Sequence, residues 1–373
     1  MGEKEKILIT GGAGFIGSHL CDELLSNGYD VRVLDSLSPQ VHEDSRSRPE
    51  YLSREVELLI GHVEDRDLLR RALCGVRGVF HFAAKVGVGQ SMYQAADYTA
   101  VNNLGTAIFM EELVEHQIEK LVVASSMSIY GEGMYRDASG ELVSGGDRPI
   151  QQLKKHLWEH YDEKGIPLVP VPTTELKVPS LASIYALSKF DQERMCLLLG
   201  AAYGILTLGL RFFNVYGARQ SLSNPYTGVL AIFASELLQG RVPQLYEDGL
   251  QMRDFVNVRD VARACRLALE SDVAGEAINI GSGHQQTIRE VAAKLAKVLG
   301  KPSLEAQITD RYRVGDVRHC FADITKAGNL LGYQAEIGFD DGLDVLARWL
   351  EGRIVVDRGL RAGDELMERG LTV

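Results

Sequence analysis

"TGGAGFIG", residues 10–17, lies between two segments of different periodicity. The run before it, "KILIT" (6–10), is short and apolar and predicts a buried strand. The run after it, "FIGSHLCDELLSNG" (15–28), puts Ile16, Leu20, Leu24 and Leu25 on one helical face and stops at Asn27-Gly28. A strand, a glycine-rich turn and a helix in that order open a chain meant for a parallel sheet.

Each glycine of the turn has a physical use. Gly11 permits the tight turn, Gly14 lets a pyrophosphate approach the backbone, and Gly17 lets helix and strand pack closely. The helix start adds N–H donors and a partial positive charge. Asp35 ends the next strand, "DVRVLD", 18 residues after Gly17. A carboxylate there accepts from the 2′-OH of an adenosine ribose and repels a 2′-phosphate. Ser36-Leu37 offers no arginine for such a phosphate, so the expected cofactor is NAD rather than NADP.

Outward from the turn the rhythm continues. "VELLIG" (56–61), "GVFHFAA" (78–84) and "KLVVASS" (120–126) read as strands, separated by the helical "DRDLLRRALCG" and "TAIFMEELVEHQ". The expected fold is α/β, a Rossmann-type doubly wound parallel sheet with a smaller mixed α/β substrate-binding domain. Its expected division is 1–212 with 254–282 for the cofactor and 213–253 with 283–373 for the substrate. Residues 131–180 interrupt the rhythm and read as an insertion with one helical piece, "IQQLKKHLWEHYDEKG" (150–165). Its faint repeat, "YRDASGEL" (135–142) and "YDEKGIPL" (161–168), is read most economically as two polar turns. Further on, Thr287 and Glu290 form a capping box ahead of "TIREVAAKLAKVLG".

The composition closes several routes. A net charge of −11 argues against nucleic acid or an anionic membrane as a partner held by bulk electrostatics. No apolar run reaches membrane-spanning length, and the N-terminus shows no hydrophobic signal region. Cys21, Cys74, Cys196, Cys265 and Cys320 are widely spaced, which predicts reduced thiols in a cytoplasmic protein and no metal.

Tyr185 and Lys189 are four apart in "SIYALSKFDQERMCLLLGAAYG" (183–204), so a helix places both on one face. A tyrosine titrates near 10 in water, and a neighbouring ammonium brings it closer to service as a base. By itself this spacing also describes an ordinary surface pair. Together with TGGAGFIG, HFAA, "SSMSIYG" (125–131), "RFFNVYG" and "QMRDFVNVRDVA", it resembles the extended short-chain dehydrogenase/reductase family over nearly the whole chain.

That resemblance implies roles. Ser126 bonds the reacting oxygen of the substrate, Tyr185 is the acid/base, and Lys189 tunes it and holds the nicotinamide ribose. The cofactor set becomes Gly11, Gly14, Phe15, Ile16, Gly17, Asp35, Ser36, His62, Val63, Phe82, Ala83, Ala84, Lys85, Asn102, Ser125, Tyr185 and Lys189. The substrate set becomes Ser126, Met127, Ser128, Tyr185, Asn214, Arg253, Arg313 and Asp316, with the two arginines on the diphosphate. His62 departs from the pattern, since an aspartate often stands there to accept from the adenine amino group. The helices around "NNLGTAIFMEELVEHQ" and "LSKFDQERMCLLLGAAYG" are those through which such proteins form homodimers.

The same resemblance narrows the reaction. Members that eliminate water or carbon dioxide carry an acid after the first strand-end hydroxyl; here the residues are Ser126-Met127-Ser128. Neither Met127 nor Ser128 can do the proton work that elimination needs. The expected function is a nucleotide-sugar 4-epimerase working by transient C4 oxidation with tightly bound NAD on a nucleotide-diphosphate sugar. The insertion looks most like that of the dTDP-L-rhamnose 4-epimerase group, without the paired cysteines found there. The alternatives are an NAD(P)H-dependent nucleotide-4-keto-sugar reductase and, from another class, a dinucleotide sensor without turnover.

Overall fold

The computed structural model describes residues 4–42, 47–222, 224, 228–312, 316–353 and 369. Seven strands make the main sheet: β1 (Lys6–Thr10), β2 (Asp30–Asp35), β3 (Glu57–Ile60), β4 (Gly78–His81), β5 (Lys120–Ser126), β6 (Leu206–Phe212) and β7 (Glu276–Ile280). Their order is β7-β6-β5-β4-β1-β2-β3, and every neighbouring pair is parallel. The order reverses between β1 and β4, so a crevice opens there beyond the strands' C-terminal ends.

The sheet is covered on both faces, which is why its central strands are apolar throughout. Ile7 and Ile9 point into one core with Val31, Val33, Phe80, Val122 and Leu208. Leu8 points into the other with Leu34, Val79, Leu121 and Val123. The first face is covered by α1 (Phe15–Ser26) and α5 (Val258–Glu270), the second by α2 (Arg66–Leu73) and α3 (Gly105–Leu113). The helix α4 (Ile184–Tyr203) packs against β5 and β6.

A separate core gathers Phe233, Leu237, Phe255, Val291, Leu295 and Leu343. Above it Met252–Asn257 pairs with Asn214–Tyr216, Gln285–Thr287 and His319–Cys320. The helix Ile288–Val298 begins with the expected capping box at Thr287 and Glu290.

The insertion forms a small antiparallel sheet of Leu142–Ser144, Met134–Arg136 and Val169–Val171. Its helix is shorter than predicted: Ile150–Leu153 only. Beyond it, side chains take the carbonyls that a longer helix would use. Arg148 donates to the Trp158 carbonyl and Gln152 to those of Leu157 and Glu159. The two repeat segments are turns built alike. Asp137 accepts the amides of Ser139 and Glu141, and Asp162 those of Lys164 and Ile166, with Gly140 and Gly165 at positive φ.

A buried ionic cluster ties this insertion to the rest. Arg148 forks onto Glu247 at 2.7 and 3.0 Å. Arg318, fully buried, donates to Glu247 at 3.0 Å, Asp248 at 2.6 Å and Glu159 at 3.1 Å. Glu132 accepts the amides of Arg318 and His319 and the Tyr135 hydroxyl.

Candidate active site

The glycine turn is as tight as its sequence suggests. Gly11 has φ +71°, and a Cβ there would come within 2.9 Å of the Ala83 amide nitrogen. A Cβ on Gly17 would stand 2.6 Å from the Gly11 carbonyl oxygen, so α1 approaches the turn backbone to backbone. Gly14 is the N-cap of α1 with no side-chain cap and no acid in the first turn. The helix N-terminus is therefore left for an external anion. Phe15 and Ile16, its first residues, are half-buried.

Asp35 is buried at the end of β2 and accepts the amides of Ala13 (3.0 Å) and Leu37 (2.9 Å). Those two bonds leave lone pairs for a ribose diol. The fit to NAD is supported independently by Ser125, whose Oγ is buried without a partner at the end of β5. Asp35→Asn is expected to weaken NAD retention roughly tenfold or more, the scale of a charge-assisted hydrogen bond. NAD released from the purified variant by denaturation would measure it.

Ser36, His62, Val63 and Phe82 to Lys85 of the expected set follow the C-terminal ends of β2, β3 and β4. Thr10 Oγ1 accepts the amides of Phe82 and Ala83 and pairs with His81, shaping the loop after β4. Asn102 holds that loop from below: its Oδ1 accepts the Lys85 amide, and its Nδ2 donates to the Lys85 carbonyl and to Ser188 Oγ. The Lys85 ammonium pairs with Asp97 at 2.8 Å. Val63 is buried, Ser36 and Ala84 are half-buried, and His62 is exposed, its ring 3.9 Å from Glu64.

The catalytic candidates converge from β5 and α4. Ser183 caps α4 by accepting the Ala186 amide, so the helix starts in time to turn Tyr185 and Lys189 inward. Both are buried. Burial raises the Tyr185 pKa, and the neighbouring Ser126 hydroxyl opposes that. Burial lowers Lys189 to about 8. Its ammonium donates to Gln192 Oε1 at 2.7 Å, and Gln192 in turn donates to Thr106 and the Ala83 carbonyl. The middle of α4 is fixed by Arg211 of β6, which forks onto the buried Glu193 at 2.7 and 2.9 Å.

Gln192, Glu193 and Arg211 were not singled out from sequence. Glu193 lies four residues after Lys189 on the same helical face, a spacing that could have pointed to it. Gln192 gave no signal without the partners that the fold brings to it.

On the substrate side, Met127 is half-buried and packs against the cluster that contains Ile129, Tyr130, Phe213 and Cys320. Asn214 has a buried Oδ1 with no partner. Arg253 donates to the carbonyls of Met252, Val317 and Arg318 and stands 3.9 Å from Asp316. Arg313 lies outside the described residues.

This crevice, with its open helix end, ribose carboxylate and buried Tyr–Lys helix, defines a dinucleotide-dependent short-chain enzyme. Residues 7–151 and 159–281 match the NAD dependent epimerase/dehydratase family, and the chain belongs to it. It is 35% identical over 352 residues to dTDP-L-rhamnose 4-epimerase of Burkholderia thailandensis, covering 93% of this chain and 95% of that one. The solved UDP-glucose 4-epimerase of Thermotoga maritima with UDP-glucose superposes with a TM-score of 0.74 at 30% identity, covering 92% and 98%. That of Thermus thermophilus in complex with NAD gives 0.70 at 30%, covering 94% and 100%.

Proposed function

We propose that this chain is a nucleotide-sugar 4-epimerase that oxidises C4 transiently with tightly bound NAD, acting on dTDP-L-rhamnose or a related dTDP- or UDP-hexose. The observation that carries this reading is the uncharged strand end. Ser126 is followed by Met127, half-buried against an apolar cluster, and by Ser128, whose hydroxyl lies 2.8 Å from that of Ser126, so no acid stands where elimination would need one. NAD bound in the crevice supplies a reversible hydride acceptor. It would be held by Gly11, Gly14, Phe15, Ile16, Gly17 and Asp35 at the adenosine and pyrophosphate end. Val63, Phe82, Ala83, Ala84, Lys85, Asn102, Ser125 and Lys189 would serve the remainder.

Tyr185 Oη takes the proton of the C4 hydroxyl and later returns it. Ser126 bonds the same oxygen throughout, which keeps it within reach of Tyr185 in both sugar orientations. Lys189 stabilises the phenolate as its ammonium. Asn214, Arg253 and Arg313 hold the diphosphate and Asp316 accepts from the nucleotide ribose while the ring turns. Residues 1–212 with 254–282 form the cofactor half and 213–253 with 283–373 the substrate half.

Leu104, Leu187 and Leu198 are exposed at 55%, 41% and 59% on the segment leading into α3 and on α4. They support a homodimer through those helices. Free cysteines support a cytoplasmic location, and no helix among the described residues is long and apolar enough to cross a membrane.

The test is NMR of the purified protein with dTDP-L-rhamnose, UDP-glucose and UDP-glucuronate, no cofactor added. New anomeric signals from a C4 epimer are expected in one tube. Silence there, with oxidation of NADH or NADPH by a 4-keto sugar, would replace this reading with a reductase. Silence in both assays would favour the sensor.

A further inference from the structure

A lysine carries its charge on a flexible stem, and its ammonium has three hydrogens to place. Among the described residues, one hydrogen of Lys189 goes to Gln192 Oε1 at 2.7 Å. Gln192 is fully buried, and its amide is fixed from both ends. The Lys189 ammonium only donates, so it takes the oxygen. The Ala83 carbonyl only accepts, so the amide nitrogen faces it at 3.3 Å, and Thr106 Oγ1 takes the other N–H at 2.8 Å. Turning the amide over would break all three bonds. Gln192 also joins two parts of the site. The Ala83 amide nitrogen is the atom that a Cβ on Gly11 would approach to 2.9 Å, so Gln192 ties the lysine of α4 to the backbone beside the glycine turn.

A carboxylate lies next in the chain and is not used. Both oxygens of Glu193 are taken by Arg211. Two other ionisable groups near the ammonium are uncharged: burial holds the His81 ring neutral with a pKa of about 3 and pushes the Cys196 thiol up to about 12. Tyr185, four residues before Lys189 on the same helical face, is the titratable group left to feel its charge. We propose that Gln192 is a positioning residue: a neutral acceptor that fixes the Lys189 ammonium against the cofactor turn and leaves its charge uncancelled for the Tyr185 phenolate. Two hydrogens of the ammonium remain, for the ribose and for the phenolate. A carboxylate at 192 would hold the lysine equally well but would cancel much of its field at Tyr185. An apolar side chain would leave the field and free the stem. The consequence for turnover rests on the epimerase reading, whereas the bond pattern does not.

The experiment is an NMR titration of the holoprotein isotope-labelled at the lysine Cε, with the Lys189 signal identified by its absence from Lys189→Arg. Gln192→Met keeps the length and removes the acceptor, and the Lys189 midpoint should fall by about one pH unit, the scale of one hydrogen bond to a charged group. Gln192→Glu supplies an opposite charge, and the midpoint should rise by about one unit or more. In turnover the alkaline limb of kcat should follow Lys189 in both variants. In Gln192→Glu the acid limb should also move to higher pH, as the phenolate loses support. A residue that only filled space would change stability without sending the two midpoints apart. A midpoint unmoved in either variant, or two shifts in one direction, overturns the proposal. Where one variant does not fold, the sign of the shift in the other decides. Opposite shifts without C4 epimerisation of any sugar support the proposal and overturn the epimerase reading instead.

Discussion

Tyr185→Phe is expected to lower the epimerisation rate about 10²- to 10⁴-fold, the range that a positioned acid/base contributes. The change removes one oxygen and keeps the ring. Tyr185 is buried, its ring edge-on to Tyr98 with centroids 6.5 Å apart, and phenylalanine can keep that contact. Its amide still donates to Ser91 Oγ, so the start of α4 is undisturbed. The variant should therefore retain its melting temperature and its NAD, and the loss should fall on kcat. Turnover can be followed by NMR and NAD content by release on denaturation. A variant that keeps full activity would remove Tyr185 from the chemistry, and with it the mechanism given above. One that loses NAD as well would show the phenol to be a cofactor contact first.

Arg318→Met is expected to cost about 3–5 kcal/mol of stability, the usual penalty for removing one partner of a buried ion pair. The side chain is fully buried among Glu159, Glu247 and Asp248. Methionine fills much of the volume but leaves those carboxylates without their shared cation. Arg148 still pairs with Glu247 and His319 with Glu159, so the deficit falls chiefly on Asp248. Chemical denaturation should show an earlier transition, and limited proteolysis should cut first within residues 131–180.

The same cluster sets an acid limit. Burial works against the Glu159 carboxylate, but bonds from His319 and Arg318 outweigh it and hold its pKa at about 2. Burial likewise opposes Glu132, and the His160 ring 3.3 Å away, the His319 amide and Tyr135 bring it to about 2. Both are depressed in the fold, so their contribution is complete above the ordinary carboxylate value. It declines as pH falls from about 4.5 toward 2.

Much of this was legible in residue order because it depends on local spacing. The strand–glycine turn–helix unit, the Asp35 strand end, the capping box at Thr287 and the start of α4 each lie within one short stretch of chain. The insertion was not legible in the same way. Its sequence from 150 to 165 has good helix formers, yet side chains of Arg148 and Gln152 claim the carbonyls and the helix ends at Leu153. Those competing partners lie only 5 to 10 residues apart, but helix propensity does not say that a side chain will take a carbonyl from the backbone. The ionic cluster was missed for a different reason, since its partners lie 71 to 186 residues apart. Arg318, Glu247 and Glu132 look like ordinary surface charges until the fold buries them together.

The distance along the chain between those partners bears on biosynthesis. Glu132 receives the Arg318 amide from 186 residues further on. At roughly 5–20 residues per second, translation needs on the order of 10–40 s to cover that separation. During that interval β1 to β6 can assemble on the ribosome, while Glu132 waits for the amides of Arg318 and His319 and Glu159 for their side chains. The insertion is thus tied down last, and a nascent chain stalled before Arg318 would hold its glycine turn and its Tyr–Lys helix while Glu132 still lacked the amides of Arg318 and His319.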